Sequence, residues 1–231
     1  LTAADLSRSG LYGILDLGYV EIGDARKMAE ALVAGGVDLL QLRAKNHSPA
    51  EIEKLAIELR TVLSQRGVPL IINDHPQIAR NVRADGVHLG QDDLPIAEAR
   101  KITGPECAVG KSTHSVEQAI RAFHEGADYI GFGPIFATPT KPDYPPIGLD
   151  DIAKVHESVR IPIFCIGGIK LDNLAKVIEA GARNVVIVSG LLQAKDAVAY
   201  GRSVKELLNR KSKIKNKKCP SSSLAPSVSI P

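Results

Sequence analysis

The sequence predicts a single-domain α/β fold, an all-parallel (β/α)8 TIM barrel. Three observations predict it. Eight short apolar runs, several entered through a Gly, Ala or Asp turn, read as buried parallel strands. Stretches with helical period and recognisable caps lie between them. No GxGxxG fingerprint follows any run, which disfavours an open, doubly wound sheet. A chain of 231 residues also suits one such barrel, since these domains typically run to ~200–250 residues.

Leu11–Leu17 is the first strand. Gly35-Gly36-Val37-Asp38 turns the chain into the second, Leu39–Arg43, and Val68–Asn73 is the third, after Gly67. Arg83-Ala84-Asp85-Gly86 leads into the fourth, Val87–Gly90, and Cys107–Lys111 is the fifth. Gly126-Ala127-Asp128 precedes the sixth, Tyr129–Gly133. Ile161–Ile166 is the seventh, and Gly181-Ala182-Arg183-Asn184 precedes the eighth, Val185–Ser189. The even-numbered strands thus share an entry motif, a weak internal repeat. Its period is too long for one βα unit, so each interval must hold a further strand. Ser48-Pro49-Ala50-Glu51 supplies an N-cap, a Pro in the first turn and a Glu three residues after the cap. Behind it Ile52, Leu55, Ala56, Leu59, Val62 and Leu63 fall on one helical face. Ser115–Glu125 and Lys170–Ala180 read as helices too, each closing on a Gly.

Hydrophobic residues make up 44% and charged residues 24%, which excludes a disordered chain. No apolar run reaches the ~18 residues a membrane span needs. Residues 1–10 lack a basic stretch followed by an apolar one, so no signal peptide is expected. The chain opens on Leu1, and the sequence leaves open whether another segment precedes it. Cys107, Cys165 and Cys219 form an odd set without CxxC spacing, which argues against a disulfide framework and a structural zinc site. A reducing, cytoplasmic compartment is the expectation.

The formal charge of +3 hides an uneven distribution. Arg210, Lys211, Lys213, Lys215, Lys217 and Lys218 follow Asn209 with no acidic residue among them. Without these six, 23 basic residues face 26 acidic ones, a poor body for binding nucleic acid. Residues 1–209 are therefore expected to form the barrel, and residues 210–231 a basic, Ser/Pro-rich, disordered tail. The expected partners are small-molecule substrates, with neither nucleic acid nor membrane, and a homo-oligomer stays open.

In such barrels chemistry sits on the loops after the C-terminal strand ends. These loops carry Gln41, Arg43 and Lys45; Asn73, Asp74 and His75; Gln91, Asp92 and Asp93; Ser112, Thr113 and His114; Thr138, Pro139, Thr140 and Lys141; Gly167 and Gly168; and Ser189 and Gly190. Gly167-Gly168 and Ser189-Gly190 occupy the usual phosphate position of the fold, where backbone N–H groups can approach an anion. Asp74 and Asp93 end adjacent strands. Two carboxylates at one mouth call for a shared proton or a cation, and Mg²⁺ suits such oxygen donors beside substrate phosphates. Arg43, Lys45 and Lys141 at the same mouth suggest a strongly anionic group such as a diphosphate. Gln41 and Asn73 can bond a heterocycle or satisfy barrel backbone groups. His75 is either catalytic or the start of a helix before Pro76. His88 packs inside the barrel or between barrel and helix, and Cys165 is inert core. Ser112 has no GxSxG elbow around it, so it is not a triad nucleophile.

The ordered set Gln41-Leu42-Arg43-Ala44-Lys45, Ile72-Asn73-Asp74, Gly86–Asp93, Ser112-Thr113-His114, Gly131–Lys141, Ile166–Ile169 and Val188-Ser189 resembles the thiamine-phosphate synthase/TenI superfamily from about Leu11 to Leu208. The resemblance implies a transferase of alkyl or aryl groups. It would couple 4-amino-2-methyl-5-(diphosphooxymethyl)pyrimidine to 4-methyl-5-(2-phosphooxyethyl)thiazole, or its 2-carboxy form, giving thiamine phosphate and diphosphate. It implies pyrimidine-diphosphate contacts at Gln41, Leu42, Arg43, Ala44, Lys45, Asn73, Ser112 and Lys141. It implies thiazole-phosphate contacts at Thr138, Pro139, Thr140, Gly168, Val188 and Ser189. Mg²⁺ falls on Asp74 and Asp93, and the catalytic roles on Ser112, Lys141 and Arg43. Ala44, His75 and Lys111 depart from the family pattern, and the two basic ones change charge near the mouth. A TenI-type thiazole tautomerase using His114 is one alternative, and a non-catalytic phosphometabolite-binding protein is another.

Overall fold

The computed structural model describes residues 1–138 and 145–217. Eight parallel strands close into a barrel in sequence order: β1 (Leu11–Asp16), β2 (Leu39–Arg43), β3 (Leu70–Asn73), β4 (Gly86–Leu89), β5 (Ala108–Thr113), β6 (Tyr129–Phe132), β7 (Ile163–Cys165) and β8 (Asn184–Ile187). β8 pairs with β1, Tyr12 opposite Val186, which completes the ring. All eight strands expected from the sequence are present. β7 is shorter than expected; its ladder begins where the Pro162 carbonyl accepts the Ile130 N–H at 3.0 Å.

The entry motif has a structural job. Asp38, Asp85 and Asp128 each stand just before an even-numbered strand and accept an N–H from the first two residues of the preceding strand. The donors are Leu11, Leu70 and Val109, at 2.9, 2.8 and 2.7 Å. Each carboxylate thus satisfies a backbone donor that the end of a ladder would leave unpaired. The fourth copy has Arg183 at this position and so no carboxylate to do this.

Period-two alternation divides the core into two layers. Leu40, Leu42, Leu70, Ile72, Val87 and Val109 pack outward against the helices. Tyr12, Leu39, Ile71, Ala108, Tyr129 and Phe164 fill the barrel interior. Gly110 makes room for the largest of these, since a Cβ there would fall on the Tyr129 ring. The outer shell includes α2 (Ala25–Ala34), α3 (Pro49–Ser64), α4 (Pro76–Asn81), α5 (Ile96–Thr103), α6 (Val116–His124), α7 (Asp151–Ser158) and α8 (Leu174–Glu179). The Ser48–Glu51 capping box forms as expected. α8 starts later than the sequence suggests, because Asn173 Oδ1 takes the Lys170 N–H at 2.8 Å and holds a turn. His75 precedes α4 as its cap residue.

Two elements differ from expectation. An unforeseen helix, Ala3–Arg8, precedes β1, and its fully buried Leu6 joins the interior cluster at the N-terminal end of the barrel. Thr2 and Asp5 cap it reciprocally, with both backbone-to-side-chain bonds at 3.1 Å. The last helix runs Ala197–Lys217, so helical backbone continues past Asn209, where a disordered tail was expected. Val204 is fully buried, and Lys205 Nζ reaches both Asp38 oxygens at 2.6 Å, which docks the helix on the barrel. Among the described residues no helix is long and apolar enough to cross a membrane.

Candidate active site

The C-terminal strand ends enclose a cavity. Gln41, Arg43, Asn73 and Ser112 line it from β2, β3 and β5; Thr138, Gly167, Gly168, Val188 and Ser189 line it from beyond β6, β7 and β8. The structure therefore brings together most of the residues expected to touch either substrate. Pro139, Thr140 and Lys141 lie outside the described residues. Leu42 and Ala44 do not present their side chains to the cavity. Alternation along β2 turns the Leu42 side chain away from Gln41 and Arg43, and both Leu42 and Ala44 are buried in the outer core. Only their backbone atoms can meet a ligand.

Arg43 is held from behind. Its Nη1 lies 2.5 Å from Asp16 Oδ2 at the end of β1. The other oxygen of Asp16 accepts the Gly18 N–H at 2.9 Å, so the carboxylate itself is fixed. A guanidinium locked by a buried carboxylate presents its free edge in one direction. Sequence reading missed Asp16; its position at the last residue of a strand was the available signal.

Asp74 and Asp93 form the acidic side of the mouth. Asp74 has a left-handed backbone, φ 62°, and its N–H donates to the His88 carbonyl at 2.9 Å. Asp tolerates this conformation better than most residues, and here it turns the side chain out at the end of β3. Lys45 Nζ stands 3.5 Å from Asp74 Oδ2. Asp93 Oδ2 accepts the Gly90 N–H at 2.5 Å. Burial, the hydrogen bond to Asp93 and the charge of Asp93 push the Asp74 carboxyl above its ordinary value. Burial also disfavours the Asp93 anion. The hydrogen bond from Asp74, the Gly90 N–H and the charges of Lys45 and Lys111 outweigh it and hold Asp93 below the usual range. Two carboxylates in such contact favour holding a proton or a cation between them, and a divalent cation can take that place. Among the described residues no group of three or more His, Cys, Asp or Glu comes together as a metal cage. Mg²⁺ typically takes one or two carboxylates and leaves its remaining positions to phosphate and water, so Asp74 and Asp93 have the donor chemistry to hold it. Lys111 is buried beside the pair, its Nζ donating to the Gly90 carbonyl at 2.7 Å.

The opposite wall is built for close approach. Gly167 and Gly168 have φ of 99° and 64°; a Cβ on the second would come within 2.7 Å of the Phe136 Cβ. Asn173 Nδ2 ties down the Gly168 carbonyl at 2.9 Å. Beyond β8, Val188 leads into a short helix, Ser189–Leu192. This is where the fold commonly seats a phosphate.

His114 lines the cavity, but its Nδ1 is 2.5 Å from the Gly133 carbonyl oxygen, a contact that needs the proton on Nδ1. His88 lies inside the barrel, with Nε2 3.0 Å from Ser112 Oγ and Nδ1 3.2 Å from the Tyr129 hydroxyl. Sequence reading left both its location and these partners open.

Comparison with known proteins agrees with this geometry. Residues 11–191 match the family described as Thiamine monophosphate synthase. The chain is 43% identical to a thiamine-phosphate synthase of Chloroflexus aurantiacus over 200 residues, covering 86% of this chain and 92% of that one. It is 42% identical to one from Shouchella clausii, over 84% of this chain and 93% of that protein. A thiamine phosphate pyrophosphorylase structure from Pyrococcus furiosus superposes with a TM-score of 0.81 at 31% identity, covering 89% and 98% of the two chains. On these grounds the chain belongs to the thiamine monophosphate synthase family.

Proposed function

We propose that this chain is a thiamine-phosphate synthase, joining the aminopyrimidine diphosphate to the thiazole phosphate with release of diphosphate. One observation carries the reading. A cationic and acidic side (Arg43, Lys45, Asp74, Asp93) and a glycine-rich phosphate wall (Gly167, Gly168, Ser189) stand at one barrel mouth. Two phosphorylated substrates can therefore meet there.

Gln41 and Asn73 hold the pyrimidine, while Arg43 and Lys45, with Lys141, bind its diphosphate. Gly168, Val188, Ser189 and Thr138, with Pro139 and Thr140, hold the thiazole phosphate. Asp74 and Asp93 would hold Mg²⁺, which when bound supplies positive charge for the departing diphosphate. Ser112 stands where its hydroxyl can donate to the leaving oxygen. The methylene C–O bond breaks with its electron pair leaving on diphosphate, and the thiazole nitrogen lone pair captures the pyrimidine-methyl cation. No protein base is required for this step. A tautomerase would instead need His114 as acid and base, so the appearance of diphosphate decides between them. A cytoplasmic location and small-molecule partners accord with this chemistry.

The test mixes the purified chain with both substrates and Mg²⁺ and follows diphosphate and thiamine phosphate. Stoichiometric appearance of both supports the reading; isomerised thiazole phosphate without diphosphate would replace it with the tautomerase. Lys141→Ala separates them further. It should lower kcat for coupling more than it weakens thiazole-phosphate binding, because a leaving diphosphate gains charge in the transition state.

A further inference from the structure

Five side chains from five strands form a hydrogen-bonded line across the barrel interior. Gln41 Nε2 donates to the Tyr12 hydroxyl at 2.6 Å, and the Tyr12 and Tyr129 hydroxyls are 3.3 Å apart. Tyr129 then meets His88 Nδ1 at 3.2 Å, and His88 Nε2 meets Ser112 Oγ at 3.0 Å. Both ends, Gln41 and Ser112, line the cavity. Tyr129, in the middle, is fully buried.

Each link has one proton to give. Both phenols lie deep in the barrel, and burial raises them well above the ordinary tyrosine value, so each keeps its proton. Direction at one end therefore fixes direction along the line. With Gln41 donating to Tyr12, the buried Tyr12 proton is satisfied by Tyr129, so the line that leaves no phenol proton unpaired runs from Tyr12 to Tyr129 and from Tyr129 to His88 Nδ1. His88 then carries its proton on Nε2 and donates it to Ser112. The cavity is left with an acceptor, Gln41 Oε1, and a donor, the Ser112 hydroxyl. The opposite direction would present a donor at Gln41 and an acceptor at Ser112.

We propose that Tyr129 is a positioning residue which, through Tyr12 and His88, fixes the donor–acceptor pattern of Gln41 and Ser112 and so selects an aminopyrimidine over an oxopyrimidine. The inference rests on the synthase reading for the identity of the ligand. An exocyclic amino group offers a proton to Gln41 Oε1, whereas a 4-oxo group sets acceptor against acceptor. Removing the Tyr129 hydroxyl cuts the line, Tyr12 can then donate to Gln41, and the amide can turn its NH2 toward the oxo group.

The experiment compares kcat/KM for the 4-amino and 4-oxo pyrimidine diphosphates in wild type and Tyr129→Phe. The amino preference should drop about tenfold, the scale of one mispaired buried hydrogen bond. A proportional fall for both substrates with an unchanged ratio would mean that Tyr129 only packs, and would overturn the proposal. If Tyr129→Phe does not fold, Tyr12→Phe reads the same ratio. Independently of turnover, ¹⁵N NMR of His88, assigned by its loss in His88→Asn, should show a neutral ring protonated on Nε2. A ring protonated on Nδ1 would also overturn it. Wild-type protein that couples neither pyrimidine would instead overturn the synthase reading, with the ring tautomer still deciding the line.

Discussion

Lys45 Nζ stands 3.5 Å from Asp74 Oδ2, and Asp74 in turn faces Asp93, whose negative charge pushes the Asp74 carboxyl above its ordinary value. Two carboxylates are thus gathered among cations at the ends of β3 and β4. A divalent ion with a diphosphate restores the balance. Asp93→Ala should cut turnover at least ~10²-fold, the scale of a lost transition-state charge stabiliser. EDTA should abolish activity, and Mg²⁺ should restore it in wild type but not in the Asp74→Ala, Asp93→Ala double variant. Full activity in EDTA would remove the metal from the scheme.

Asp16 should matter for stability and for chemistry. Its side chain is 3% exposed and that of Arg43 19%, so the pair is largely withdrawn from water. Asp16→Ala leaves the largely buried guanidinium without its counter-charge, at a cost of about 3 kcal/mol. Urea denaturation measures that loss. Kinetics should show a fall in kcat as well, because Arg43 is no longer aimed.

Gly168→Ala should separate the two substrates. A methyl at φ 64° is strained and would crowd Phe136, moving the backbone away from a phosphate. Thiazole-phosphate affinity should weaken roughly tenfold, the scale of a lost bond to a charged group. Pyrimidine-diphosphate affinity, measured by calorimetry, should change little.

The buried cysteines should be silent in the native protein. Burial pushes the Cys107 thiol up to about 11 and Cys165 to about 12, and the thiolate is the reactive form. Iodoacetamide at pH 8 followed by peptide mapping should leave both unmodified until urea is added. The raised values favour the fold only while the thiols are protonated. Stability should therefore be lost as pH rises from the ordinary 9.0 toward 11. Labelling of Cys107 in the native protein would contradict this.

The barrel was legible in the sequence because its signals are local. Alternation, caps and small-residue turns each act within a few residues, so all eight strands and the mouth residues Gln41, Arg43, Asn73, Asp74, Asp93, Ser112, Gly168 and Ser189 could be placed from order alone. The same alternation turns the Leu42 side chain away from the mouth. The helix Ala3–Arg8 also had a local signal, the Thr2–Asp5 spacing. Asp16 against Arg43, Lys205 against Asp38, and the line from Gln41 through Tyr12, Tyr129 and His88 to Ser112 had none. Those partners lie 24 to 167 positions apart in the chain. Pairing of β1 with β2 sets Asp16 opposite Arg43, docking of the last helix brings Lys205 to Asp38, and only closure of the sheet brings Tyr12 to Tyr129. In the barrel interior, shut away from water, each polar group finds its partner on another strand rather than along its own.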